Sequence, residues 1–415
     1  MNSSIDRNFY NLIKNFDNWY LRNYSVIEEQ LIKYLSIDTV TPNEGRASEF
    51  LEDYLSTVGL SINRNYLNFD LMRSDSKYTR HSLAENNTEN YNIHAETEKD
   101  INAPTVLFNC HIDVVPDNSY DQNQFKAYSD KYNIYGRGAC DTKANIICLV
   151  EAIRFLQQSN IPIRKNISID LVIEEETTGN GTLMQTLSDF QADFVVVFEP
   201  TRLNVYKGHR GVLTVNLQMQ GTASHMGNNL QIKNIHNQLK YVIADIEQLE
   251  AQIKQLCSNN TNFRKTDNVV KINIGKVSGG EWAGSTPEKC DILFNIGFTE
   301  ELTLESLEKK VIDHFSKYNN IKVDFPELKN QSYVIEESNS LLKELLISIN
   351  TCGVAQSDIY GWRVSCDAFY YFTKCGIPTV IFGCGELDNA HSSKEFVTKE
   401  ELKQEILILA DFLSK

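Results

Sequence analysis

The sequence predicts an α/β chain in which a mostly parallel sheet carries helices on both faces and is interrupted by an inserted α+β domain. Two observations predict it. The runs TVLFNC, ISIDLVI, FVVVF and, near the end, TVIFG are apolar without alternation, as strands buried on both faces are, and helical patterns separate them. Between residues 211 and 298 the texture changes, because VLTVNLQMQG, VVKINIGKV and DILFNIGF alternate as half-buried strands do. The chain therefore divides into residues 1–207 with 326–415, the α/β part, and residues 208–325, the insertion.

Taken in order, residues 5–58 read as helices. Phe9, Leu12, Ile13 and Phe16 recur at helical spacing, as do Ile27, Leu31 and Leu35, then Phe50, Leu51, Tyr54 and Leu55, with Thr41-Pro42 breaking the region. A polar stretch follows, about 72–103, longer than most connections in compact domains; it reads as a flap or a ragged hairpin. Helices are expected near 142–158 and 182–190 between the apolar strands. In the insertion they are expected at about 232–256 and 304–315, and after it at 340–350 and 399–413.

The chain has 415 residues, 41% hydrophobic and 23% charged, which fits one large or two modest globular domains and rules out wholesale disorder. Lys and Arg number 40 against 55 Asp and Glu, a formal charge of −15, so a general nucleic-acid binder is disfavoured. Nine cysteines without a C-x-x-C pair suit reduced thiols, hence a cytoplasmic protein. No run approaches the roughly 20 apolar residues that cross a bilayer, and the amino terminus does not read as a signal peptide, so no membrane attachment is expected.

The chemistry gathers at strand ends. TVLFNC leads into His111 and Asp113, ISIDLVI into Glu174, Glu175 and Glu176, FVVVF into Glu199, and TVIFG into a loop carrying His391. Ligands of open α/β sheets sit outside the carboxyl ends of the strands, so these groups are expected in one crevice. Carboxylates crowded together repel or take up protons unless a cation satisfies them. Period-two alternation puts His111 and Asp113 on one face, with the Asp113 carboxylate expected behind the imidazole to fix its tautomer. Asp141, after the glycine-rich turn of YGRGACDTK, is expected to be a ligand as well. Alone, a His-x-Asp or a Glu run is usually structural; the conjunction decides. Imidazole and carboxylate donors suit zinc by default, or cobalt or manganese. Cys110, Cys140, Cys366 and Cys384 are expected to pack as small apolar residues. HExxH, GxSxG and P-loop motifs are absent from the sequence.

In NCHIDVVP, YGRGACDTK, IEEETTGNGT, FEPT, GTASHMG and AHSSKEF, in this order over nearly the whole chain, the sequence resembles the dinuclear-zinc family of acetylornithine deacetylase, succinyl-diaminopimelate desuccinylase, aminoacylases and glutamate carboxypeptidase. The resemblance implies two divalent ions. It makes His111 and Glu199 ligands of one, Glu176 and His391 ligands of the other, Asp141 the bridge, Asp113 the partner of His111, and Glu175 the catalytic acid/base. It also implies a cis peptide at Asp141-Thr142, a lid and dimerisation role for 208–325, and a homodimer in which His225 reaches the partner's active site to bind the oxyanion.

Where family members often carry arginines, this chain has Asn295 and Phe369. Arg363, Arg210 or Lys207 could then hold a substrate carboxylate, since Arg presents a bidentate fork. The expected activity is hydrolysis of a small N-acyl amino acid or related N-acyl amine. The alternatives are a dipeptidase or carboxypeptidase with the same metals, a non-catalytic homologue that binds through the cleft, and a larger or peptide-linked substrate admitted by residues 72–103.

Overall fold

A computed structural model describes residues 3–80, 82, 83, 85, 90–116, 124–188, 190–228, 234–356 and 358–415, with residues 3–11 by their helical backbone alone. The chain divides into two compact units: Met1–Lys207 with Ile335–Ile359 and Tyr370–Lys415, and Gly208–Val334 with Tyr360–Phe369. Residues 326–334 and 360–369, grouped with the α/β part from sequence, pack in the second unit.

The first unit is built on a six-stranded sheet in the order Ser61–Asn65, Asn92–Glu96, Asn166–Val172, Thr105–His111, Phe194–Phe198, Thr379–Phe382. The four apolar runs pair in parallel, with Phe108 opposite Ile169 and Ile381 opposite Val197. Their side chains are buried throughout Asn166–Val172 and Phe194–Phe198, which is why these segments do not alternate. The helix Lys143–Gln158 packs against Ser3–Leu35 and Lys399–Leu413 and is buried on nearly every side from Ala144 to Phe155. Asn180–Thr186 is a shorter helix of the same unit, to which Tyr370–Cys375 of the helix Ala368–Cys375 also belongs.

The polar stretch differs from its sequence reading. It contains the strand Asn92–Glu96, while the edge strand Ser61–Asn65 and a short helix, Phe69–Met72, lead into it; both strands pair antiparallel. Asn92–Glu96 escaped the hydrophobic pattern because its buried polar groups find distant partners. Asn92 donates to Gly181 O (2.8 Å) and accepts from Ile173 N (3.1 Å), and His94 Nδ1 lies 2.7 Å from Asp170. Gly181 has a steric reason to be glycine, since a Cβ there would stand 2.1 Å from Ile173 O.

The second unit is antiparallel. Its sheet runs Lys271–Gly279, Lys289–Phe298, Gly211–Gln220, Ile321–Asp324, with Lys329–Asn330 also pairing with Gly211–Gln220. Leu213, Val215, Leu217 and Met219 alternate onto a core closed by Leu249 and Ile253 of the helix Leu239–Leu256 and Leu307 and Val311 of Leu304–Phe315. The amino-terminal part of the expected 232–256 helix falls partly outside the described residues.

Candidate metal centre

All the expected ligands lie in the first unit, at or just beyond its strand ends. His111 closes Thr105–His111, Glu175 and Glu176 follow Asn166–Val172, Glu199 follows Phe194–Phe198, and His391 lies in the loop after Thr379–Phe382. Asp141 stands just before the helix Lys143–Gln158, and its peptide bond to Thr142 is cis. Two trios form: His111, Asp141 and Glu199, and Asp141, Glu176 and His391. In each, one ligand atom per residue lies within 4.8 Å of the others.

Asp141 is common to both. Its Oδ1 lies 3.2 Å from His111 Nε2 and its Oδ2 3.2 Å from His391 Nε2, so the carboxylate presents one oxygen to each imidazole. Glu176 Oε1 is 2.9 Å from the same nitrogen of His391. His111 Nδ1 lies 2.9 Å from the carbonyl of Asp113, an acceptor only, so Nδ1 carries a proton and the neutral ring turns the lone pair of Nε2 toward Asp141. A lone pair facing a carboxylate oxygen calls for a cation between them or a proton on the ring.

The electrostatics say the same. Hydrogen bonds that His391 donates to the carboxylates of Asp141 and Glu176 push its imidazole up to about 10. Burial opposes charge on His111, yet its Asp141 contact and the charge of Glu175 raise its pKa well above the ordinary value. Burial and the neighbouring Asp141 raise Glu176, whereas the two imidazoles outweigh burial and hold Asp141 low. Three anionic carboxylates and two imidazoles, a donor set of oxygen and nitrogen, fit two divalent ions that share Asp141.

Asp113 departs from its expected geometry. Its carboxylate is 3.8 Å from His111 Nδ1 and instead accepts the backbone N–H groups of Glu175 (3.0 Å) and Glu176 (2.9 Å). Two oriented amide dipoles compete successfully for a fully buried carboxylate, so the imidazole is left to the carbonyl. Asp113 thus ties the strand end that carries His111 to the turn that carries the acid/base candidate.

Sequence reasoning missed Arg137 and Glu395. Arg137 Nη1 donates to Glu395 Oε2 at 2.7 Å, both side chains 2% exposed, and Glu395 Oε1 accepts from Cys140 N and Asp141 N, each at 3.1 Å. This buried pair clamps the turn that presents Asp141. The available signal was a charge of each sign inside two motif stretches otherwise rich in small residues.

The other candidates belong to neither trio. Lys207 Nζ is 2.7 Å from Glu337 in the first unit. Arg210 and Arg363 belong to the second unit, where Arg210 Nη1 donates to Val269 O at 3.3 Å; burial, with Arg363 nearby, lowers the Arg210 pKa. His225 is exposed in the second unit on a short strand paired with Ser285–Thr286. Its Nδ1 accepts from Gly227 N (3.1 Å), which leaves the ring proton on Nε2, the outward donor.

All nine cysteines are free thiols, and Cys110, Cys140, Cys366 and Cys384 are buried. Cys384 also belongs to a third, enclosed trio with Cys148 and Glu405, in which burial pushes the Glu405 carboxyl up to about 8.

Residues 107–415 match the model of peptidase family M20/M25/M40. The chain is 21% identical to the N-formyl-4-amino-5-aminomethyl-2-methylpyrimidine deformylase of Bacillus subtilis (strain 168), covering 99% of this chain and 98% of that one. It is 25% identical to the succinyl-diaminopimelate desuccinylase of Rickettsia akari (strain Hartford), covering 92% and 97%. In fold it is similar to human carnosine dipeptidase 1 (TM-score 0.70, 15% identity, 97% and 98% covered). It is likewise similar to a dinuclear metal-binding peptidase of family M20 from Bacillus subtilis (TM-score 0.60, 13% identity, 94% and 98% covered).

Proposed function

The chain belongs to peptidase family M20/M25/M40 and is a metallohydrolase of it, and from that premise we propose that it cleaves the amide bond of a small N-acyl amino acid or related N-acyl amine. The observation that carries the reading is Asp141, which offers one oxygen to each of two imidazoles at 3.2 Å. His111, Asp141 and Glu199 would hold one divalent ion and Asp141, Glu176 and His391 a second, with zinc as the default and cobalt or manganese as alternatives. When bound, such ions supply Lewis acidity, lowering the pKa of a water and polarising the scissile carbonyl.

The protein supplies the proton traffic and the geometry. Glu175 takes the proton of the attacking water and passes it to the departing amine, so one carboxylate serves as base and then as acid. The Asp113 carboxylate fixes the amide of Glu175 and thereby the start of its side chain. The outward Nε2–H of His225 suits a hydrogen bond to the developing oxyanion. Gly208–Val334 would act as a lid and dimerisation domain, delivering His225 to a second subunit. Arg210 and Arg363, close enough for one to lower the other's pKa, would hold a substrate carboxylate; Lys207, engaged with Glu337, is the weaker candidate.

That same arginine pair favours a second reading, a dipeptidase or carboxypeptidase, because such substrates carry a free carboxylate beside the scissile amide. No helix among the described residues is long and apolar enough to cross a membrane, and the nine free thiols support a cytoplasmic location.

The test is a panel of N-formyl, N-acetyl and N-succinyl amino acids set against dipeptides, assayed with zinc and with cobalt. Turnover of the acylated substrates above the dipeptides is expected, with Glu175→Gln losing on the order of 10²- to 10⁴-fold while keeping its metals. Parent-like turnover by Glu175→Gln would remove the assigned base. Preference for dipeptides would select the second reading. Fewer than one bound ion per chain would point instead to a binding homologue.

A further inference from the structure

The polar stretch after residue 68 finds no place in the hydrolytic reading, yet it is sewn to the loop that carries the acid/base. Asn68 N donates to Met184 S (3.4 Å), and Met72 is fully buried. Asp75 pairs with Lys374, and Arg73 with Glu85. Thr79 exchanges two hydrogen bonds with one side chain: its N–H donates to Asn180 Oδ1 (3.1 Å) and its carbonyl accepts from Asn180 Nδ2 (2.9 Å). Ser82, 5% exposed, places its hydroxyl 2.8 Å from both carboxylate oxygens of Glu174. All these residues belong to the first unit.

Glu174 needs such support. It is wholly buried, and its φ of 61° lies in the left-handed region that residues other than glycine seldom adopt. A buried carboxylate keeps its place only through hydrogen bonds; here Ser82 and Thr178 Oγ1 (2.7 Å) are among the groups that supply them. The carbonyl of Glu174 in turn accepts Thr178 N (2.9 Å) and Gly179 N (2.7 Å), which closes the turn. The next two residues are Glu175 and Glu176. Asp113 grips their amides from one side, and Ser82 grips the residue before them from the other.

We propose that residues 68–80, with Ser82, form a strap and that Ser82, through Glu174, is a positioning residue for Glu175. The proposal rests on the hydrolytic reading for its effect on turnover, but not for its effect on the turn itself. A displacement of the turn by about an ångström is enough to cost on the order of 10²-fold in rate, because the base must meet its proton at hydrogen-bond distance.

The experiment compares Ser82→Ala, Glu174→Ala and the double variant with the parent. It reads kcat and KM on the best panel substrate, bound metal, and amide hydrogen exchange of residues 175–179 in metal-free protein. For Ser82→Ala we expect kcat to fall by roughly 10- to 100-fold with KM and metal content little changed, and exchange at Thr178 and Gly179 to quicken. Because the two side chains act as one unit, the double variant should be no worse than Glu174→Ala alone. Parent-like kcat in Ser82→Ala, whether or not exchange quickens, overturns the positioning role, as do losses that add in the double variant. If the parent hydrolyses no panel substrate while exchange quickens and the variants are non-additive, the strap stands and the hydrolytic reading fails.

Discussion

Arg137→Met removes a guanidinium from the interior while keeping most of its apolar stem. The consequence falls on Glu395, whose Oε2 loses its 2.7 Å donor while Oε1 still holds the amides of Cys140 and Asp141. Both side chains are 2% exposed, so solvent does not screen the loss. Breaking a buried pair from one side costs about 3–5 kcal/mol. Glu395 has a partial escape, because burial and the charge of Asp141 already raise its pKa, and protonation would relieve the stranded charge. That escape weakens the clamp: amide bonds to a charged acceptor, about 1.5–3 kcal/mol each, become neutral ones of about 0.5–1.5. Two such bonds soften by roughly 2 kcal/mol in total, and the turn that presents Asp141 loosens.

The expected result is a stability loss of about 3 kcal/mol together with roughly 10- to 100-fold weaker metal binding. Urea unfolding of the metal-free chain and competition with a chelator measure the two. The chain has two compact units, so the transition to follow is that of the unit carrying Arg137. Replacing both partners, as Arg137→Met with Glu395→Gln, should recover part of the stability, since no uncompensated charge remains. A single variant that unfolds with the parent and binds metal as tightly would refute the clamp.

Further outcomes follow from the same geometry. Asp113→Asn offers an amide group to one of the two N–H donors that its carboxylate now accepts; metal affinity and turnover should each drop by about 10- to 100-fold, read by chelator competition and initial rates. Glu405 is buried with its carboxyl raised from 4.5 to about 8, so across that window the folded chain holds a proton that the unfolded chain releases. The stability this proton contributes is complete below the ordinary carboxylate value and is lost as pH rises toward 8. Melting temperatures of Glu405→Gln should therefore decline less between those limits than the parent's, and parallel pH profiles would count against a raised Glu405.

The sheet was legible in the sequence because its four parallel strands are buried on both faces, and burial of that kind writes itself as unbroken apolar runs. The insertion was legible from the change to alternation, with Leu213, Val215, Leu217 and Met219 marking the covered face. Asn92–Glu96 was not. Beside the buried Ile93 and Ala95 it carries a buried Asn92 and a half-buried His94, and Asn92 is satisfied by residues some eighty positions away, a pairing that no local period records.

From the sequence alone came the fold class and the candidate imidazole and carboxylate donors, because strand ends and hydrophobic runs are local properties, and the resemblance of its motifs pointed to the family. Tertiary structure decided which partner each polar group takes. It turned the Asp113 carboxylate from the imidazole to two amides, brought Glu395 across more than 250 residues to the Asp141 turn, and laid Ser82 on Glu174. Hydrogen bonds inside a protein answer to distance in space, and a low-dielectric interior makes each unpaired group costly enough to determine the arrangement.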